Sequence, residues 1–368
     1  MSSLDTNQNH LDSNVVEFIS RPKQMFVDGE WVNALSGDTF DTLDPATANV
    51  ITSVPRSDTQ DVERAITAAR RAFDTGPWPR MTPAERQRIL WRIGEGILAH
   101  ADTLAQLECI DNGKSVAVAR SVDVVWAAEI FFYYAGWATK LEGRTVPVSV
   151  PWATDARFHA FTIREPVGVC AQIVPWNFPL VMAAFKLAPA LACGNTVVLK
   201  PAEQTPLTAL LLAGIIADAD VPAGVVNVLT GFGDAGAALA AHPDVDKVAF
   251  TGSTEVGKKI VHAAAGNLKK VSLELGGKSP QIVFADADFG TAIPGVSNGF
   301  LFNHGQTCTA GTRLLIEDRI FDEFTAGVAR RNIHGELMAR RPCANARQRF
   351  AVLRHPFAAE RVANLGLR

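Results

Sequence analysis

Apolar residues follow a helical period over much of the N-terminal part of the chain. Residues 61–73 place apolar side chains every three or four positions, which predicts an amphipathic helix. A second helix is predicted to begin after Thr82, because a threonine cap followed by Glu85 at the third helical position forms a capping box. Its apolar stripe runs as far as Leu98. A further helical stretch is predicted over residues 116–138.

Two other stretches are predicted to form extended chain and turns. Residues 25–55 combine short apolar pieces with Gly, Asn and Asp, a pattern typical of turns and short strands. Residues 145–162 alternate apolar and polar side chains around Pro147 and Pro151. Proline cannot donate to a sheet, so this second stretch is predicted to lie at an edge.

From Gly168 onward, strand-like and helical periods alternate. Strands are predicted at residues 169–174, 196–199, 225–229, 247–250 and 271–275, with helices at 180–191, 206–219, 235–241 and 254–265. This alternation predicts an α/β fold with a doubly wound parallel sheet, covered on both faces. Ligands of such sheets bind at the carboxyl ends of the strands.

Composition narrows the class of protein. The 368 residues have a net charge of −3, so no global charge points to nucleic acid or an anionic membrane. The longest apolar run, residues 207–217, is too short to span a bilayer, and the N-terminus has no apolar signal core. The five cysteines lack metal-like spacing, which indicates a reducing, cytoplasmic location and no metal site.

Four loops that follow predicted strands have residues suited to a nucleotide or a polar reaction centre. The Gly231-x-Gly233-x-x-Gly236 loop opens a helix, as phosphate-binding loops do, but the alternative is a tight glycine turn that packs the helix on the strand. Ser253, after Gly252, either helps to hold a pyrophosphate or simply caps a helix. The two remaining loops contribute Lys200 with Glu203, suited to ribose hydroxyls or to a surface ion pair, and Asn177, either an oxyanion donor or a turn residue.

Two residues carry the candidate chemistry. Cys308 lies in the glycine-flanked loop Gly305-Gln306-Thr307-Cys308, and a thiolate is a strong nucleophile toward a carbonyl carbon. Glu274 lies in Leu-Glu-Leu-Gly-Gly-Lys, and a carboxylate can take the proton from a water that hydrolyses a thioester. Together they indicate oxidation of an aldehyde through a covalent thioester.

The order of these loops resembles the aldehyde dehydrogenase superfamily over residues 25–328. The resemblance rests on Pro-Trp-Asn-Phe-Pro, Lys-Pro-Ala-Glu, Phe-Thr-Gly-Ser-Thr, Leu-Glu-Leu-Gly-Gly-Lys and Gly-Gln-Thr-Cys. It implies NAD as cofactor, because a carboxylate at Glu203 would repel the 2′-phosphate of NADP. Stretches such as residues 124–134 are most similar to enzymes acting on phenylacetaldehyde and related aldehydes.

The resemblance also implies a role for each site residue. Cys308 is the nucleophile, Glu274 the general base for deacylation, and Asn177 an oxyanion donor together with the Cys308 main-chain N–H. Lys186 supports the base. The implied cofactor contacts are Trp176, Lys200, Glu203, Gly233, Gly252 and Ser253.

The expected domains follow the same resemblance. They are a cofactor domain over residues 1–143 and 166–276, an oligomerisation strand segment over 144–165, a partial catalytic domain over 277–328, and a divergent tail over 329–368. The tail has nine arginines, no lysine and no aspartate. We expect it to result from a frameshift, with a basic arm or a genuine short variant as alternatives.

Two functional hypotheses therefore stay open. The first is an NAD-dependent aldehyde dehydrogenase acting on a small aldehyde; the acyl-phosphate- and CoA-forming branches are related alternatives, and a hydrolytic base at Glu274 argues against the CoA branch. The second is a truncated, catalytically inactive product that keeps part of the nucleotide-binding fold. A homo-oligomer is expected from the family, although the C-terminal pairing strand is missing from this sequence.

Overall fold

A computed structural model of the chain describes residues 11–334 and 351–355. Helices in this part of the chain are Ser13–Ser20 (α1), Thr59–Asp74 (α2), Pro83–Ala99 (α3), Ala101–Asn112 (α4), Val116–Val118 (α5), Val124–Ala138 (α6), Pro179–Ala192 (α7), Leu207–Asp218 (α8), Gly233–Ala241 (α9), Thr254–Ala264 (α10), Phe289–Leu301 (α11) and Phe321–His334 (α12). Strands are Met25–Val27 (β1), Glu30–Val32 (β2), Thr39–Leu43 (β3), Val50–Pro55 (β4), Thr145–Val146 (β5), Ala160–Phe161 (β6), Val169–Ile173 (β7), Thr196–Lys200 (β8), Val226–Val228 (β9), Lys247–Gly252 (β10), Lys270–Leu275 (β11), Pro280–Val283 (β12), Arg313–Glu317 (β13) and Ala351–His355 (β14).

The chain divides after Glu274 into two compact units. The first contains a seven-stranded sheet in the order β11-β10-β7-β8-β9-β1-β2. Strands β10, β7, β8 and β9 are parallel, with Lys247 opposite Cys170 and Val169 opposite Thr196. From β7 the chain adds β8 and β9 on one side, then β10 and β11 on the other, so the predicted doubly wound α/β fold is confirmed.

The central strands are buried on both faces, as their almost uninterrupted apolar sequences predict. All residues of β8 and β9 are buried, and so are four of the five residues of β7. Helices α7 and α8 pack against each other and against the sheet, and α9 packs against both α2 and α10. These helices exclude water from the strands.

One edge of this sheet is antiparallel, a feature that the sequence analysis did not include. Strand β1 pairs antiparallel with β9, placing Phe26 opposite Val228, and β2 continues antiparallel beyond it. A two-residue turn joins β1 to β2, so they must run in opposite directions. Local pattern predicted these short strands but not their place in the sheet.

The helix that follows Thr82 shows how local chemistry fixes an element. The Thr82 N–H donates to Glu85 Oε2 at 2.7 Å, and the Glu85 N–H donates to the Thr82 hydroxyl at 3.3 Å, which completes the predicted capping box. Ile89, Ile93 and Ile97 of this helix are fully or almost fully buried. Leu98 is exposed, so the apolar stripe is narrower than predicted. The helix predicted over residues 116–138 is present but contains a π-helical turn at residues 119–123.

Residues 145–162 contribute only a short antiparallel pair, β5 with β6, whose side chains are largely exposed. The oligomerisation role of this segment stays a prediction. None of the helices formed by the described residues combines the length and apolar composition that a bilayer crossing requires. A cytoplasmic location likewise stays a prediction.

The second unit is a smaller α/β layer. Strands β12, β13 and β14 form a parallel sheet in that order. Its core combines strand residues such as Val283 and Ile316 with Phe300 of α11 and Phe324 of α12. Helix α12 continues to His334, beyond the boundary predicted at residue 328. Residues 335–350 and 356–368 of the Arg-rich tail lie outside the described residues.

Candidate active site

Loops from four parallel strands of the first unit end at one edge of its sheet. Asn177 follows β7, Glu203 follows β8, Gly233 follows β9, and Ser253 follows β10. The chain reverses its direction of sheet growth between β7 and β10, which are neighbours. Such a reversal leaves a crevice outside the carboxyl ends of the strands, where doubly wound folds bind ligands. The fold therefore gathers the predicted cofactor residues of this unit at one edge.

Lys200 and Glu203 form an ion pair that the sequence could not distinguish from a surface pair. Lys200 Nζ lies 3.6 Å from Glu203 Oε2 and donates to the carbonyl of Pro201 at 3.1 Å. The lysine is only 3% exposed, whereas a third of the Glu203 side chain is exposed. Burial lowers the pKa of Lys200, although the Glu203 and Asp234 carboxylates act in the opposite direction. The Glu203 carboxylate is therefore accessible to solvent, whereas the Lys200 ammonium paired with it is buried.

Gly231 and Gly233, in the loop after β9, differ in the space around them. A Cβ on Gly231 would lie 2.6 Å from the Ser57 hydroxyl, so this position requires close packing against the loop before α2. A Cβ on Gly233, by contrast, would meet no atom within 4 Å, and this residue is exposed at the first position of α9. The open position at a helix N-terminus is where backbone N–H groups can approach a phosphate.

The second helix start at this edge is capped by its own serine. The Ser253 hydroxyl accepts a hydrogen bond from the Val256 N–H at 3.2 Å. This is the capping geometry that the sequence left open as an alternative to phosphate binding. Ser253 is exposed, so the capping contact leaves the residue accessible at the positive end of α10.

Glu274 and Lys186 are close enough to influence each other electrostatically. Glu274 is exposed near the end of β11, and Lys186 is half-buried on α7. Burial lowers the pKa of the Lys186 ammonium, the Glu274 carboxylate partly offsets this, and Lys247 adds to the lowering. The lysine expected to support the base therefore lies within electrostatic range of it.

Cys308 is the exposed cysteine among those in the described part of the chain. Cys170 is buried, and burial raises the pKa of its thiol to about 12. Burial also raises the pKa of Cys109 and Cys193, which are half-buried. Thiolate formation is therefore disfavoured at these three thiols. Cys343 lies outside the described residues.

The loop before Cys308 adopts an unusual backbone conformation. Asn303, His304 and Gly305 have φ angles of 51°, 58° and 73°, three successive residues in the left-handed region. Asparagine and histidine adopt this region more often than most other non-glycine residues, but it still costs free energy, and such strain is concentrated at functional sites. The Cys308 carbonyl oxygen would lie 3.1 Å from a Cβ on Gly277, so the glycine allows the two chain segments of the second unit to approach closely.

Comparisons with known proteins identify the family of this chain. The model of the aldehyde dehydrogenase family matches residues 31–336, extending past the limit of residue 328 inferred from the motifs. This chain belongs to the aldehyde dehydrogenase family. It is 51% identical over 309 residues to phenylacetaldehyde dehydrogenase from Pseudomonas fluorescens and 51% identical over 304 residues to human mitochondrial aldehyde dehydrogenase.

Solved structures show the same fold. An NAD⁺ complex of an aldehyde dehydrogenase from Bacillus cereus matches with a TM-score of 0.84 and 46% identity, covering 87% of this chain and 64% of that one. The alignment with the Pseudomonas relative covers 84% of this chain and 62% of that protein. The chain therefore spans about three fifths of the length of the curated relatives it matches.

A buried polar cluster at the end of α4 was not predicted from the sequence of this family member. Glu108, Lys114 and Asp123 are all buried, with Lys114 Nζ 2.5 Å from Asp123 Oδ1 and 3.5 Å from Glu108 Oε1. One signal was available: Glu108 follows the apolar Leu104 and Leu107 on a helix whose other face is polar. An acidic residue in an apolar stripe indicates a buried partner.

Among the described residues, no three His, Cys, Asp or Glu side chains are arranged to hold a metal ion.

Proposed function

We propose that this chain provides the cofactor-binding and nucleophile-bearing parts of an NAD-dependent aldehyde dehydrogenase. The observation that carries the proposal is that, within the described residues, the exposed cysteine is the one in the Gly-Gln-Thr-Cys loop of a family member. The other described thiols have raised pKa values, so a competing nucleophilic cysteine is disfavoured.

The residues at the sheet edge fit NAD as the cofactor. Exposed starts of α9 and α10 provide N–H donors for a pyrophosphate, with Gly233 leaving room for it. Glu203 presents acceptors for ribose hydroxyls, and the exposed Trp176 provides an aromatic surface. Bound NAD supplies the two-electron acceptor for the substrate carbon.

In the proposed reaction, the Cys308 thiol loses its proton and the sulfur bonds to the aldehyde carbon, while the π electrons of the C=O bond move to oxygen, giving a thiohemiacetal oxyanion. The Asn177 amide donates to the developing oxyanion, which is the kind of contact whose loss costs about 10²–10³ in rate. The thiohemiacetal carbon then loses its hydrogen as hydride to the two-electron acceptor that bound NAD would supply, and its C=O bond forms again to give a thioester. Glu274 then takes a proton from water, the hydroxide adds to the thioester carbon, and the carboxylic acid leaves as the Cys308 thiol is restored.

We infer an aromatic or aliphatic aldehyde as the substrate. The Pseudomonas relative, named phenylacetaldehyde dehydrogenase, supports this inference because 51% of the aligned residues are identical. Phenylacetaldehyde is therefore the first substrate to test.

The test measures NADH formation by the purified chain and two variants. Cys308→Ala is expected to bind NAD normally in calorimetry but form no NADH, because the sulfur that bonds to the aldehyde is missing. Glu274→Gln is expected to give one burst of NADH and then stop, because the thioester is no longer hydrolysed. Cys193→Ala, which removes a half-buried thiol, serves as the matched control and should behave like the parent chain.

Steady NADH formation by Cys308→Ala at the parent rate would refute the nucleophile. Normal steady-state turnover in Glu274→Gln would rule out this residue as the deacylation base. A parent chain that binds NAD but oxidises no aldehyde would support the second hypothesis, a nucleotide-binding product without turnover; a kcat of about 1–10³ s⁻¹ would exclude it.

A further inference from the structure

The turn that carries Asn177 is held by the end of a helix that lies outside the cofactor sheet. Asn112, the last residue of α4, donates through Nδ2 to the carbonyl of Trp176 at 2.7 Å. Lys114 Nζ lies 3.4 Å from the carbonyl of Asn177 and donates to it. Two consecutive carbonyl groups of the turn are thus bound by side chains from one short segment.

The same segment also contacts the residues that follow Asn177. The Lys114 ammonium lies 4.2 Å from the centre of the Phe178 ring, within the range of a cation–π contact. The Leu180 N–H, in the first turn of α7, interacts with the Glu108 carboxylate and favours its charged form. The turn is therefore bound on both sides of Asn177.

Stability alone does not account for a buried lysine here. Lys114 is 2% exposed and Glu108 and Asp123 are 0% exposed, so three ionisable groups have been removed from water. Replacing such buried ionic groups by well-packed apolar residues is often neutral or stabilising. Burial raises the pKa of both Glu108 and Asp123 even beside the lysine, so keeping these carboxylates ionised inside the protein costs free energy.

A fixed orientation of the turn is the property that these contacts produce. A lysine ammonium has three donors, and here they are directed to Asp123, Glu108 and the Asn177 carbonyl. The two carboxylates determine where the ammonium lies, and the ammonium determines where the carbonyl lies. Rotation of the peptide group after Asn177 would break this contact.

We propose that Lys114 and Asn112 are positioning residues that fix the main chain at Trp176 and Asn177, so that the Asn177 amide is pre-oriented toward the oxyanion. The proposal rests on the proposed function of Asn177. Preorganised donors accelerate a reaction because they need not reorganise when charge develops. Neither residue is expected to touch the substrate.

The central experiment uses Lys114→Met combined with Asp123→Asn in the full chain. This double variant removes one positive and one negative charge together, so the buried cluster keeps its net charge. Lys269→Met is the matched control, because Lys269 is also a buried lysine but donates to the carbonyls of Ala240 and His242, at the opposite end of α9 from Gly233. Asn112→Ala, which removes one hydrogen bond, serves if the double variant does not fold.

Hydrogen–deuterium exchange of the Trp176, Asn177 and Phe178 amides is the primary readout. We expect exchange there to become about tenfold faster in the double variant, the change that corresponds to losing about 1.4 kcal/mol of local protection. Lys269→Met should leave these amides unchanged. Unchanged exchange in the double variant, or faster exchange throughout the protein in proportion to lost stability, would overturn the proposal.

The kinetic readout separates positioning from a purely structural role. We expect the NADH burst of the double variant to be about tenfold slower, with an unchanged KM for the aldehyde, because binding does not need the oxyanion donor. A proportional change in both parameters, or none in either, would count against positioning. If the parent chain forms no NADH, the proposed function fails by itself, and the exchange measurement still decides whether these residues hold the turn.

Discussion

Replacing Glu203 by glutamine tests whether this carboxylate selects NAD over NADP. One of its oxygens lies 3.6 Å from the buried Lys200 ammonium, and a third of the side chain is exposed. Glutamine keeps the shape and removes the charge. The variant therefore leaves a buried cation without its carboxylate partner, beside the position proposed for the 2′ substituent of the adenosine ribose.

Two effects of Glu203→Gln both shift the binding preference from NAD toward NADP. Loss of a charge-assisted hydrogen bond to a ribose hydroxyl costs about 1.5–3 kcal/mol, which weakens NAD binding by roughly tenfold or more. A single negative charge about 5 Å from the carboxylate is repelled by about 3 kcal/mol at an effective dielectric constant near 20. Partial exposure of Glu203 reduces that repulsion, so we expect NADP binding to improve by only about fivefold. The ratio of the two dissociation constants should shift by roughly fiftyfold.

Isothermal titration calorimetry with NAD and NADP measures both constants and does not depend on catalysis. Glu63→Gln is the control, since Glu63 is an exposed carboxylate paired with His242 at 2.9 Å, at the far end of α9. The control should leave the ratio unchanged. A Glu203→Gln ratio equal to that of the parent chain would refute the carboxylate as the selecting group, even if the chain binds NAD tightly.

Two further predictions concern stability. The pKa of Glu108 is raised from 4.5 to about 7, mainly by burial, so the native state keeps a proton that the unfolded chain loses, and the free energy of unfolding falls as the pH rises between these values. Urea titrations of Glu108→Gln should therefore show a gain relative to the parent chain that grows from pH 5 to pH 8, up to about 3 kcal/mol; a pH-independent difference would contradict this. Gly168 has a φ of 128°, and a Cβ there would lie 1.9 Å from Asp246 Oδ2, the oxygen that accepts from the Val169 N–H. Gly168→Ala should therefore lower the free energy of unfolding by about 2 kcal/mol or more. Gly266→Ala, where the Cβ meets open space, is the control, and equal unfolding midpoints for the two variants would show that the site is not strained.

Elements with a local cause were predictable from the sequence. The capping box at Thr82 and the strand–helix alternation after Gly168 depend on neighbouring residues and on apolar periodicity, and both are present in the structure. The four cofactor and oxyanion loops were found for the same reason, because each one follows a predicted strand. Their proposed chemical roles still depend on the experiments above.

Features that join distant parts of the chain were not predictable. The antiparallel pairing of β1 with β9 joins residues about two hundred positions apart, and nothing in either segment encodes its neighbour. The burial of Lys200 was missed because a Lys-x-x-Glu pair looks the same on a surface as in an interior.

The amino-acid sequence by itself determined the family and the candidate nucleophile and base, because short motifs identify them. It also determined the order of the strands and helices, because apolar periodicity predicts these elements. Only the tertiary structure showed that the end of α4 binds the Asn177 turn, and that Glu108, Lys114 and Asp123 are buried together there. The reason is physical: burial and hydrogen bonding between remote segments depend on which surfaces meet after folding, and periodicity reports only which surfaces are apolar.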